Sequence, residues 1–163
     1  MPSPPAALPL LPTSELVAKF WLGSIPGLTP AMVASQLPAN AAGWAQTGFI
    51  TVAVVGGSPD IDAPVKNPIL QLDFYAVQLG SQKAPWSAAN VLAETVRNAT
   101  LQRVGQKRPL RITAGPLTYP PAVVQSAYLL TEPRRKWGDP GDYAVYTADM
   151  AMTWNTTGDH ITP

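Results

Sequence analysis

The 163 residues suffice for one domain that buries about 70% of the surface its unfolded chain would expose. The absence of cysteine and the single histidine, His160, exclude a disulfide framework, a zinc-thiolate site and thiol catalysis, and leave histidine triads without support. Eleven Lys and Arg against ten Asp and Glu give a net charge of +1 and a pI near 8.0, below the value of about 9 typical of a dedicated nucleic-acid binder.

The charged share of 13% is about half the usual ~25%, and a weakly charged surface suits a protein that meets partners. "MPSPPAALPLLPTSE" has no basic start, and prolines interrupt its apolar residues, so it reads as neither signal peptide nor membrane anchor. Nowhere do as many as about 18 apolar residues run together. An extended Pro-rich arm over 1–12, a single domain over 13–155 and a tail over 156–163 are expected.

"TSELVAKFWLG" predicts a short amphipathic helix, capped by Thr13 or Ser14, with Leu16, Val17, Phe20 and Trp21 at helical spacing and Gly23 as its stop. "TPAMVASQLP" predicts a second, with Thr29 as cap, Pro30 in the first position and Pro38 ending it. The β-branched run "FITVAVV", 49–55, predicts a strand ended by Gly56 and Gly57. "ILQLDFYAV", 69–77, alternates: Leu70, Leu72, Phe74 and Ala76 face one way and Gln71, Asp73 and Tyr75 the other, as in a half-buried strand.

"SAANVLAETVRNATLQRV" predicts the longest helix, capped by Ser87, with Ala88, Val91, Leu92, Thr95, Val96 and Ala99 on its apolar stripe. Strands follow at 110–114 and 122–130, then the turn-rich "TEPRRKWGDPGD". In "DYAVYTADMAMTW", 142–154, Tyr146, Ala148, Met150, Met152 and Trp154 share a side; so long a strand must bend at a bulge or project beyond the domain. The order predicts an α+β, sandwich-like fold: a mostly antiparallel sheet, a long helix packed across it and short N-terminal helices.

Gly56-Gly57 lacks G-x-G-x-x-G spacing, and no lysine followed by Ser or Thr completes a phosphate loop. Asp60 and Asp62 lack the further carboxylates a calcium loop requires, and His160 reads as a tail residue. No nucleophile elbow is present. Arg134, Arg135 and Lys136, followed by Trp137, form a basic cluster beside an aromatic, which suits a phosphate or base contact, a solvated loop or a protein contact. Asn98-Ala-Thr and Asn155-Thr-Thr fit a glycosylation pattern, set aside for want of a secretory signal. No catalytic residue, cofactor or metal site is expected, and the chain does not read as an enzyme. The enzymatic alternative, a small hydrolase or ligand-binding domain, would need a perturbed acid pair, for which Asp73 or Asp149 are the candidates.

The strand entering "VVGG", the acidic loop, "NPILQLDFYAV", the helix "SAANVLAETVRNAT", the "GPLTYPP" turn and the closing "DYAVYTADMAMTW" together resemble, over about residues 44–155, the tail terminator proteins of long-tailed bacteriophages (siphoviruses), particularly those infecting actinobacteria. The resemblance implies a homohexameric ring on the last ring of the tail tube that stops tube polymerisation and joins the tail to the head connector. Its partners would be other copies of itself, the tail-tube protein and the head-tail connector proteins, with genomic DNA passing through the lumen unread and no membrane contact. The protein would reside at the head-proximal end of the tail, after assembly in the host cytoplasm. Another connector or a tail-tube protein is the alternative within the same class. A ring subunit needs two different patches, and two loops are expected to supply them: 56–68, with Gly56, Gly57, Asp60, Asp62 and Lys66, and 131–141, with Arg134, Arg135, Lys136 and Trp137.

Overall fold

The alternating apolar residues of the two longest strands decide the architecture, because their inward side chains must be covered. A computed structural model describes residues 10–60, 62–137 and 143–157; the first nine residues of the expected arm, His160 and part of the 131–141 loop lie outside it. The fold is α+β: a seven-stranded, mostly antiparallel sheet carrying two helices. The strands are β1 (Val33–Ala34), β2 (Phe49–Pro59), β3 (Lys66–Val77), β4 (Pro109–Leu110), β5 (Thr113–Ala114), β6 (Leu117–Thr118), β7 (Ala122–Leu129), β8 (Arg134–Arg135) and β9 (Tyr143–Thr156). Sheet order is β1-β2-β3-β9-β7-β4, β8 adding to β9 beside β7, while β5 and β6 form a separate ribbon.

β9 is the central strand. It pairs with β3 from Val77↔Tyr143 to Lys66↔Trp154, and with β7 and then β8 along its other edge. It stays in register with β3 over that span, and the irregularity falls instead on β7, between Val124 and Ser126. Neither a bend in β9 nor a free end is needed, because two neighbours absorb its length.

Helix α1 (Ser14–Gly23) starts where Thr13 Oγ1 accepts from Leu16 N at 3.2 Å, and it buries Val17, Ala18, Trp21 and Leu22. Helix α2 (Trp86–Leu101) buries Ala89, Leu92, Ala93, Val96, Ala99 and Thr100. Its N-cap position is Pro85, with no side-chain cap, rather than Ser87, and the buried stripe is rotated from the expected one: Val91 is exposed. Both helices cover the sheet face that presents Ile50, Val52, Leu70, Leu72, Phe74, Ala148, Met150, Met152 and Trp154, and these form one core. No helix among the described residues is long and apolar enough to cross a membrane.

The expected second helix is a single 3-10 turn, Pro30–Met32. Val33 and Ala34 then pair parallel with Ile50 and Thr51; a β-branched residue in reach of an open sheet edge extends more readily than it coils. The expected strand at 110–114 is divided, Leu110 pairing with Ala122 and Thr113 with Thr118. Ile112 between them is fully buried, so the chain turns there to send that side chain into the core.

Candidate interaction surfaces

The nine residues singled out in the sequence fall into two groups at opposite ends of the sheet. Gly56, Gly57, Asp60, Asp62 and Lys66 belong to the β2–β3 hairpin, whose last pairs are Gly57↔Pro68, Ser58↔Asn67 and Pro59↔Lys66. Arg134 and Arg135 form β8, opposite Thr147 and Tyr146. Lys66 stands opposite Trp154, so seven residue steps of β9, about 24 Å at ~3.4 Å each, separate the two.

The two glycines do not end a strand but continue β2 beyond a register shift between Val54 and Gly56. Gly57 has φ +103°, and a Cβ there would lie 2.3 Å from the Asn67 carbonyl oxygen; one at Gly56 would meet Ile69 at an ordinary 3.7 Å. Gly57, two residues past the bulge at Val55, is therefore closed to side chains. The connection shrinks to residues 60–65, where Asp60 Oδ1 accepts from Asp62 N at 3.0 Å and Ala63 N at 3.2 Å, a carboxylate folding its own turn. Asp62 is exposed. Lys66 Nζ lies 4.9 Å from the Trp154 ring centre, and Trp154 Nε1 donates to Ser14 Oγ at 3.0 Å.

Beyond Thr51 the outer edge of β2 has no neighbouring strand among the described residues. Val54 N is met by Glu15 Oε1 at 3.1 Å, a carboxylate blunting an open edge. Val54 and Val55 remain 46% and 53% exposed there. Grooves of about 180 Å³ and 160 Å³ flank the hairpin, small against the roughly 300–1,000 Å³ of a ligand pocket.

At the far end the four remaining residues divide between the two faces of the sheet. On the face away from the helices, Arg134 donates to Thr131 Oγ1 at 3.0 Å and lies 3.8 Å from Asp149, while Lys136 Nζ reaches Asp73 Oδ2 at 2.8 Å. On the helix face, Arg135 stacks 4.8 Å from the Trp86 ring centre and its Nε donates to Tyr146 Oη at 3.4 Å. Trp137 packs 6.2 Å from Trp86, centre to centre, yet stays 79% exposed.

Asp73, on the side of β3 away from the apolar alternation, is 7% exposed. Thr51 and Thr147 flank it on the neighbouring strands, and the Lys136 side chain reaches it across the sheet face. Burial by itself raises its pKa; hydrogen bonds from Lys136, Thr147 and Gln71, with the charge of Lys136, outweigh that and hold the carboxyl below its ordinary value. Gln71 Nε2 sits at 3.2 Å, and the Thr147 hydroxyl is buried on the neighbouring strand. An ionised, cation-paired carboxylate suits a structural tie, because proton transfer at neutral pH calls for the opposite shift. Asp149 has its own cation, Arg134, at 3.8 Å.

Trp86 and Tyr146 went unrecognised as surface residues in the sequence, although Trp86, directly after Pro85, and a second tryptophan in the basic run were a signal for an aromatic surface. No protein-family model matches the chain, and no curated protein matches it. Among solved structures it is similar to a chain from the virion of a native gene transfer agent particle, at 9% identity and a TM-score of 0.47 over 87% of this chain and 92% of that one, a likeness too slight to carry a functional argument.

Proposed function

We propose that the protein is a virion structural component, a tail terminator whose closed ring caps the tail tube, stops its growth and joins it to the head connector. The observation that carries this reading is the presence of two unlike exposed patches on one sheet: the open β2 edge with Val54 and Val55, and, across β3 and β9, the tryptophan platform around Trp137. Unlike patches that meet each other generate head-to-tail contacts, and these close into a ring when the rotation between subunits allows. The order of motifs that resembles the phage tail terminators supports the same reading. So does a charge of +1, which suits a lumen through which DNA slides, since each phosphate neutralised tightens a salt-dependent grip.

The β2 edge supplies the test. Val54→Lys with Val55→Lys adds charge at two exposed positions, so the stability change is expected to stay within about 0.5 kcal/mol. Assembly, followed by sedimentation of the double variant beside the parent chain, is expected to be lost, because charged side chains on an open edge block strand addition and apolar contact. Unchanged assembly of a folded double variant would remove the β2 edge from the interface and with it the support this reading takes from that patch.

A further inference from the structure

Five tryptophans divide into two kinds. Trp21, Trp44 and Trp154 are buried, and each indole N–H donates inside the protein, to Val104 O, Pro38 O and Ser14 Oγ. Trp86 and Trp137 lie at the surface against each other, tilted by 43°, and neither indole N–H donates to a described residue. Tyr146 closes the cluster, 6.1 Å from Trp86, and Arg135 holds Trp86 from one side. Tilted aromatic rings with unspent N–H donors match the surface on which proline-rich segments dock: the segment is already extended, loses little entropy on binding, and offers proline rings to the aromatic faces and bare carbonyls to the donors.

The chain carries such a segment itself. Residues 2–12, PSPPAALPLLP, hold five prolines and no charge. Pro4 and Pro5 fall short of their own chain's platform. Ser14 is tied to Trp154, and Leu11 lines the groove formed by Asp60, Ala63, Pro64 and Trp154, so the chain enters at the hairpin end of the sheet. From there to Tyr146 is eight steps along β9, about 27 Å at ~3.4 Å per residue. Pro5 lies six residues from Leu11, about 19 Å in polyproline geometry at ~3.1 Å per residue.

We propose that the proline-rich arm of one copy docks on the Trp86–Trp137 platform of a second copy. The inference rests on the reading of the chain as self-assembling and supplies that reading with a subunit link. It explains why arm and platform sit at opposite ends of the sheet, as a head-to-tail contact requires.

The absence of cysteine makes the test direct. Ala6→Cys, in the arm, and Ser87→Cys, exposed beside Trp86, are made as separate full-length chains, mixed and oxidised. A disulfide between residues 6 and 87 of different chains, identified by peptide mass spectrometry, is expected. It should fall roughly tenfold when Trp137→Ala is added to the second chain, as for loss of an aromatic anchor. Pro4→Ala with Pro5→Ala in the first chain should lower it likewise. Absence of the 6–87 link, or a yield indifferent to both changes, would overturn the proposal. Rings that form without the link would sink the arm contact alone; the link in open chains or dimers would sink the ring alone.

Discussion

Trp154→Ala is expected to leave a protein that is largely unfolded at moderate temperature, at a cost of about 3–5 kcal/mol. The indole is 1% exposed, on the central strand. It joins three separate parts of the chain: α1 through the hydrogen bond to Ser14, the hairpin through the stacked Lys66, and β7 through its pairing with Val124. Truncation leaves a cavity under all three and strands the Ser14 hydroxyl. Trp154→Phe restores most of the volume without the donor and should cost about 1–2 kcal/mol. Urea denaturation followed by circular dichroism separates the two; similar costs for both would mean that the hydrogen bond, not the packing, carries the site.

The Lys136–Asp73 tie gives the second large effect, and its two halves are not equivalent. Removing the lysine leaves a carboxylate that is buried at 7% exposure, so Lys136→Met should cost about 2 kcal/mol. Removing the aspartate leaves an ammonium whose side chain is already 41% exposed and extends into water, so Asp73→Asn should cost about 1 kcal/mol. The sign with pH follows from the lowered pKa of Asp73. Its contribution is complete above the unfolded value near 3.8 and disappears as pH falls through the lower folded value. The difference in stability between parent and Asp73→Asn should therefore be constant from pH 7 to about pH 5 and shrink below pH 4. A difference that grew on acidification would show the carboxyl to be stabilised in its neutral form.

Local patterns carried the sheet and failed where distant parts of the chain meet. The alternation through Leu70, Leu72 and Phe74 and through Met150, Met152 and Trp154 was legible because each strand buries one face under helices, and Thr13 as a cap was legible because capping is local. The Gly56–Gly57 pair was not, because whether glycines end a strand or continue it depends on the partner, here Pro68 and Ile69. The α2 stripe slipped because Ala88 and Ala89 are equally small and Val91, though apolar, faces solvent. β1 depends on an edge seventeen residues away, Val33 on Ile50 and Ala34 on Thr51. At the candidate surfaces, the basic run was visible but not its division between two faces, which follows from β8 pairing with β9. Asp73 lies 63 residues from its lysine, a separation that no pattern in the sequence spans.

The claim that this chain terminates a tube by closing on itself is met most directly by its assembly in solution: light scattering over a concentration series, with negative-stain images of the same samples. Closed rings of one size, about six subunits as the resemblance to phage tail terminators implies, with a mass that stops rising with concentration, are the predicted result. Tubes that lengthen as concentration rises would contradict it and assign the chain to the tube itself.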